Sequence, residues 1–133
     1  MRVFLFLAVL LPASVASAQE WREFARYRAV IGVDDLFNSR GVQLFDPAAV
    51  IQQDRANFHR FGLRQRGDQG DPFFGDRSAR ARIPGLVDFL VAPSFVASVR
   101  SGQTAEVDVY ICGRNDIELI AVADPWGETA GCF

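Results

Sequence analysis

Apolar residues follow three different spacings along this chain. Residues 3–11 form an unbroken apolar run, residues 47–61 carry apolar positions three and four apart, and residues 104–113 alternate apolar with polar. In that order, the spacings indicate a hydrophobic leader, an amphipathic helix and a half-buried strand. Helical and alternating patterns within one short chain predict an α+β domain.

The helix predicted over 47–61 has matching start and stop signals. Asp46 is a favourable N-cap residue, and Pro47 occupies the first helical position, where an amide would have no partner. Gly62 follows the last turn, and a left-handed glycine at this point commonly ends a helix. Start, stop and periodicity therefore agree on one central, capped helix.

A polar, glycine-rich loop is predicted at 64–76, with Phe73-Phe74 as its apolar anchor. Asp76 can cap a second, shorter helix that runs through about Ile83. Pro84-Gly85 would end this helix, because proline lacks the amide that would continue it.

The remaining elements are predicted to be strands. Trp21–Val33 indicates one strand, and spacing of two predicts three more, at Phe95–Arg100, Thr104–Gly113 and Asp116–Asp124. In the third of these four strands, alternate side chains point to opposite faces. One face has Val107, Val109 and Ile111, and the other has Glu106, Asp108, Tyr110 and Cys112. We therefore expect an α+β fold in which the capped helix and the short helix pack on a C-terminal antiparallel sheet of three to four strands.

Residues 1–18 have the organisation of a cleaved secretory signal peptide. Arg2 supplies a positive start, Pro12 breaks the apolar run, and Ala16-Ser17-Ala18 provides the small residues of a cleavage site. The apolar run would rise only about 14 Å as a helix, which is too short to span a bilayer core. We expect residues 19–133 to form a single globular domain in the periplasm or outside the cell, without a membrane span.

The chain has two cysteines, Cys112 and Cys132. In an oxidising compartment, an even count in a small exported domain indicates a disulfide, and two cysteines allow one intramolecular pairing. The bridge would join the C-terminal tail to the strand that holds Cys112. Two free thiols are the alternative, which is less compatible with export.

Charge is distributed unevenly. Lysine is absent, residues 55–82 contain seven Arg and three Asp, and residues 104–133 contain one Arg and six acidic residues. Such an asymmetry can steer an anionic partner to one face, or the two regions can pair with each other on folding. We expect an envelope protein or an anionic envelope component as partner. Nucleic acid is not expected, because the basic region lacks interleaved aromatic residues and export removes most nucleic acid from reach.

Asp54 is the main anomaly of the predicted helix. It falls in the middle of the apolar stripe, which consists of Val50, Ile51, Phe58 and Phe61, and Asn57 borders that stripe. A carboxylate on a buried face is costly unless it is paired or hydrogen-bonded. The structural interpretation is that Asp54 binds loop amides or an arginine such as Arg40 or Arg82, which is the usual role of a buried acid. The functional interpretation is an acid in a cleft beside Asn57.

His59 is the only histidine. It lies about 140° from Asp54 around the helix, so the two cannot form an acid–base dyad on one face. Arg55 is the neighbour of His59, and this pair indicates either an edge that contacts anions or, more simply, a solvated flank. The candidate binding residues are therefore Asp54, Asn57, Arg55 and His59.

Other chemistry is poorly represented in the sequence. One histidine and two cysteines that are expected to be bridged do not make a usual zinc site. The chain has no G-x-S-x-G nucleophile motif and no glycine-rich phosphate loop. We predict no catalytic residue, no metal site and no cofactor.

The segment Gln53–Gly62 (QDRANFHRFG), with Asn38-Ser39 and Gly41 upstream, resembles a group of small exported proteins of Gram-negative bacteria. The resemblance implies a periplasmic or secreted location and supplies no activity. The sequence thus favours a small non-catalytic binding or interaction protein. Two alternatives stay open, namely a hydrolase that uses Asp54 with a residue outside the helix, and an inhibitor of a hydrolase.

Overall fold

The computed structural model describes residues 19–125 and 131–132, so the predicted signal peptide at 1–18 lies outside the described residues. The strands are β1 (Arg22–Ile31), β2 (Val87–Val91), β3 (Ala105–Gly113) and β4 (Leu119–Ala123). The α-helices are α1 (Pro47–Ala56), α2 (Arg77–Leu86) and α3 (Pro93–Arg100). A short 3-10 helix (Val33–Leu36) follows β1, and a π-helical turn (Asn57–Phe61) extends α1. The protein is α+β, as predicted.

The four strands form one sheet in the order β1-β3-β4-β2. β3 pairs antiparallel with both β1 and β4, whereas β2 pairs parallel with β4. The sheet is therefore mixed rather than wholly antiparallel, and the N-terminal strand forms one of its edges. The predicted alternation along β3 is confirmed, because Val107 and Val109 lie in the main core while Tyr110 belongs to a second cluster.

The prediction of a strand at Phe95–Arg100 is wrong, because these residues form most of helix α3. Pro93 occupies the first helical position, and Asp124 accepts hydrogen bonds at 2.9 Å from the amides of Ser94 and Phe95. A carboxylate distant in the sequence thus satisfies amides at the start of this helix. The fourth strand of the sheet is instead β2, which was not predicted from the sequence.

The predicted caps of α1 are confirmed. Asp46 accepts a hydrogen bond of 3.1 Å from the amide of Ala48, and Gly62 ends the π-helical turn with a φ of 66°. The last turn is wider than predicted because residues 57–61 are π-helical. Such turns inside or at the end of α-helices often occur near functional side chains.

Helix α2 begins after the Asp76 cap, as predicted, but continues through Pro84 to Leu86. A proline at this position removes the amide that would bond to the carbonyl of Arg80. The side chain of Gln52 on α1 donates to that carbonyl over 3.2 Å instead. This substitute hydrogen bond explains why the helix does not stop at the proline.

The helices cover one face of the sheet, where the main core lies. That core includes Tyr27, Ile31, Ile51, Phe74, Val107 and Ile120. On the opposite face, the predicted Cys112–Cys132 disulfide is present and packs with Tyr110 and Ala123. Within the described part of the chain, no helix combines the length and apolar character that crossing a bilayer requires.

The 64–76 loop runs along the outer edge of β1. The amide of Gln69 donates to the carbonyl of Arg28, and the Gln69 side chain accepts from the Arg28 amide, both over 2.9 Å. Asp68 accepts from the amide of Val30 over 3.3 Å. Phe74 anchors the loop in the core, as predicted, with 1% of its surface exposed. Hydrogen bonds to β1 and the buried Phe74 therefore fix the loop along this edge of the sheet.

Candidate functional site

The guanidinium of Arg55 is the centre of a buried charge cluster. It donates from Nε to Oδ2 of Asp54 over 2.7 Å, from Nη2 to Oδ1 of Asp68 over 3.2 Å, and from Nη1 to Oδ2 of Asp71 over 3.1 Å. Nη1 also donates to the carbonyl of Gln69 over 2.9 Å. The Arg55 side chain is 0% exposed, as are those of Asp68 and Asp71. The cation on α1 thus holds the 64–76 loop by two of its carboxylates.

Two aromatic rings enclose the same guanidinium. The Arg55 Cζ lies 4.1 Å from the centroid of Tyr27 and 4.6 Å from that of Phe58. Rings at these distances attract a cation through their quadrupole, most strongly when water is excluded. They replace part of the hydration that Arg55 loses on burial.

Asp71 joins the cluster to His59. The Nε2 of His59 donates to Oδ2 of Asp71 over 2.7 Å, and the amides of Phe73 and Phe74 donate to Oδ1 over 2.8 and 2.6 Å. Burial raises the pKa of Asp71, but these hydrogen bonds outweigh burial and leave the pKa below its ordinary value. Asp71 is therefore ionised, and His59 is its partly exposed partner.

Asn57 belongs to a neighbouring branch of buried polar groups. It donates from Nδ2 to Oδ1 of Asp35 over 2.8 Å and accepts from Nε2 of Gln53 over 2.9 Å. Asp35 also accepts from the amide of Gly32 over 2.8 Å. This branch fixes the 3-10 helix against the end of α1.

The cluster contains more negative than positive groups, and burial shifts their protonation. Burial raises the pKa of Asp54 to about 7, and the attraction of Arg55 offsets only part of this rise. Burial likewise raises the pKa of Asp68, against the opposing attraction of Arg55. Burial alone would lower the pKa of Arg55, but its partners outweigh burial and raise it, so the guanidinium stays charged.

Three buried oxygens of the cluster have no hydrogen-bond partner within residues 19–125 and 131–132. They are Oδ1 of Asp54, Oδ2 of Asp68 and the hydroxyl of Tyr27. Because Arg55 already donates to Oδ2 of Asp54, a proton taken up by this carboxyl belongs on Oδ1. Proton uptake by Asp54 therefore leaves the contact with Arg55 in place.

The structure brings three of the four candidate residues together. Asp54 and Arg55 pair directly, and His59 joins them through Asp71, whereas Asn57 lies in the adjoining branch. The interpretation of Arg55 as part of a solvated flank is wrong, because its side chain turns inward beneath the loop.

Asp54 does pair with an arginine, but neither of the two suggested arginines is its partner. Arg40 is exposed, and Arg82 pairs with Asp116 over 3.1 Å. Sequence reasoning missed Asp68 and Asp71, although both are acidic residues in a loop rich in arginine and glycine. It had no means of finding Tyr27, whose ring reaches Arg55 only through the packing of β1 against α1.

A basic cleft of about 380 Å³ lies between α1 and α2. Its cationic lining residues are Arg60, Arg77 and Arg80, and no acidic residue among those that the structure describes lines it. Arg80 donates from Nη1 to the carbonyls of Phe74 and Gly75 over 2.8 and 3.1 Å. Within the described ranges, none of these three arginines has a carboxylate at ion-pair distance. The cleft is therefore suited to an anionic group.

In the part of the chain that the structure describes, no group of three or more His, Cys, Asp or Glu is arranged to hold a metal ion. At the acidic cluster, Arg55 lies among the carboxylates and supplies the positive charge. No family model, curated protein or solved structure matches the chain.

Proposed function

We propose that the protein is a small non-catalytic binding protein of the periplasm or the extracellular space, and that its partner is an anionic envelope component. The observation that carries the proposal is the basic cleft between α1 and α2, with Arg60, Arg77 and Arg80 along it. An arginine fork binds phosphate or carboxylate in two-point geometry, which makes such a cleft selective for anions.

The burial of the Arg55 cluster supports a binding role over a catalytic one. Asp54 is 1% exposed, and its charged partner Arg55 is itself buried against the ring of Tyr27. Removing one partner from such a pair leaves a buried charge unpaired, which is a large loss of stability. The cluster thus acts as the clamp that holds the 64–76 loop in place, next to the start of α2.

The location has two supports. The organisation of residues 1–18 is that of a secretory leader, and the Cys112–Cys132 disulfide is characteristic of oxidising compartments.

The binding role is tested by titrating the purified, disulfide-bonded protein with pyrophosphate and following by NMR the backbone amide signals of Gln52, Ala56 and Ala81, which line the cleft and are present in every variant. We expect their signals to shift at low salt and to return when the salt is raised, because ion pairing at a surface is screened. A double variant, Arg60→Gln with Arg77→Gln, should lose the shifts. The matched control, Arg66→Gln with Arg100→Gln, removes two exposed arginines outside the cleft and should keep them. Equal shifts in both double variants would overturn the proposal.

A hydrolase is the second candidate, and one contact favours it. His59 is 16% exposed and donates to the ionised Asp71 over 2.7 Å, an arrangement that orients an imidazole as a base. This candidate would be favoured if the wild-type protein hydrolyses a phosphate or ester substrate. The activity should then be lost in His59→Gln and kept in Arg60→Gln with Arg77→Gln. Absence of turnover in all three proteins would reject it.

A further inference from the structure

A second cleft, of about 420 Å³, adjoins the basic cleft along α1. Asn38 and Gln53 line both clefts, so the two meet at these side chains. The basic cleft continues from there towards α2, and the second cleft continues towards the segment that follows α1. The two neighbouring clefts are together called the groove, which has a different chemistry at each end.

The second cleft has large apolar walls. Phe37, Phe61 and Leu63 line it, and Phe61 and Leu63 are 47% and 43% exposed. Exposed apolar side chains that are grouped at a cleft commonly mark a binding site. Among the described residues, Asp34 is the one acidic residue that lines this cleft, so a second anion would be repelled there. The groove therefore has an anion-binding end and an apolar end.

The junction between the two ends is held in place by hydrogen bonds. Gln53 donates to Asn57, which in turn donates to the buried Asp35. Asn38 uses its Oδ1 to accept from the amides of Arg40 and Val42, both over 3.0 Å. A pre-formed junction lowers the entropy that a ligand must lose on binding across it.

We propose that the groove binds a single-chain anionic amphiphile, that is, a lipid with one acyl chain and a phosphate headgroup. The headgroup binds Arg60 and Arg77, and the acyl chain lies against Phe37, Phe61 and Leu63. The volume of the apolar end is in the lower part of the range for ligand pockets, which fits one chain rather than two. This inference rests on the proposed function, because the headgroup uses the same arginines.

The experiment is isothermal titration of the disulfide-bonded protein with lauroyl lysophosphatidylglycerol below its critical micelle concentration. The comparison ligands are glycerol phosphate, which lacks the chain, and lauroyl lysophosphatidylcholine, whose headgroup is zwitterionic. We expect the anionic amphiphile to bind at least about tenfold more tightly than either, because each buried methylene adds to affinity and the arginines favour net negative charge.

Two variants separate the ends of the groove. Phe61→Ser with Leu63→Ser should reduce the affinity for the amphiphile to that for glycerol phosphate, and Arg60→Gln with Arg77→Gln should remove the preference over the zwitterionic lipid. Leu90→Ser is the matched control, because Leu90 is an apolar residue 87% exposed that lines neither cleft. Unchanged unfolding midpoints confirm that each variant is folded.

The outcomes distinguish this inference from the proposed function. If glycerol phosphate binds at the arginines but the acyl chain adds no affinity, the amphiphile is rejected and the anion site stands. If neither anion binds, both proposals fall. An acidic peptide with one aromatic residue is the last comparison ligand. If this peptide binds more tightly than the amphiphile, the inference is overturned in favour of a protein partner.

Discussion

Arg55 donates to Asp54, its neighbour in the chain, over 2.7 Å, and both side chains are buried. Adjacent helical residues point about 100° apart, so the Arg55 side chain has to turn back towards the apolar stripe to reach Asp54. The 64–76 loop makes this possible, because Asp68 and Asp71 accept from Nη2 and Nη1 of the same guanidinium. The loop and the helix therefore stabilise each other through one cation.

Replacing Arg55 with Met should lower the free energy of unfolding by about 3–5 kcal/mol, because three buried carboxylates would lose their cation. Urea unfolding monitored by circular dichroism measures this loss. Arg66→Met is the control, since Arg66 is exposed and should change stability by less than about 0.5 kcal/mol. A loss below about 1 kcal/mol in Arg55→Met would show that the cluster is not the clamp described above.

Asp54→Ala should lower the free energy of unfolding by about 2–4 kcal/mol, since the Nε of Arg55 would lose its acceptor in a dry environment. Asp54→Asn keeps the volume and an acceptor oxygen, and should cost less. Thermal and urea unfolding of the two variants give the comparison. A midpoint unchanged within a degree in Asp54→Ala would contradict the buried contact.

The stability of the protein should depend on pH through Asp54. Its pKa rises from 3.8 to about 7 on folding, so the folded protein binds this proton more tightly than the unfolded chain. The resulting stabilisation is fully present below about pH 4 and is lost as the pH rises through about 7. Asp54→Asn lacks this titration, so its stability relative to the wild type should increase between pH 5 and pH 8. A constant difference over that interval would contradict the raised pKa.

Gly113→Ala tests the close packing at the end of β3. A Cβ at this position would meet the backbone carbonyl oxygen of Asp116 well inside van der Waals contact, and backbone cannot move aside cheaply. We expect a loss of about 1–3 kcal/mol. Gly85→Ala is the control, because no heavy atom in the described part of the chain, apart from the adjacent residues and the backbone of the same helix, lies within 4 Å of that Cβ. This helical position should gain about 0.5–1 kcal/mol.

The disulfide and the leader are tested together on material purified from the native host. Mass spectrometry should find a mature N-terminus at Gln19 and no free thiol. Reduction should lower the free energy of unfolding by about 3 kcal/mol, the chain-entropy expectation for a bridge that spans 20 residues. Retention of Met1 with two alkylatable cysteines would contradict the extracytoplasmic location.

Local signals in the sequence were sufficient for α1 and for β3. The Asp46 cap, Gly62 and the helical spacing all act within a few residues, and the alternation along β3 reflects one covered face. The π-helical turn was not predictable, because its side chains fit either a wide or a normal last turn.

Elements that depend on distant contacts were misassigned or missed. The start of α3 is capped by Asp124, and the carbonyl that Pro84 leaves free is satisfied by Gln52. At the candidate site, the helical wheel correctly placed Asp54 on the buried face, but it could not show that Arg55 turns inward. That orientation depends on a loop that follows in the sequence and on the ring of Tyr27, which precedes it.

The position of the 64–76 loop along β1 has a consequence for self-association. A strand at the margin of a sheet offers unpaired backbone groups to other copies of the chain, and this is a common route to aggregation. Asp68 and Gln69 occupy those groups at Arg28 and Val30. Arg55 holds the same loop, so a variant that lacks this cation also exposes the backbone groups at the margin of the sheet. We expect such a variant to associate with other copies through intermolecular strand pairing before it unfolds completely.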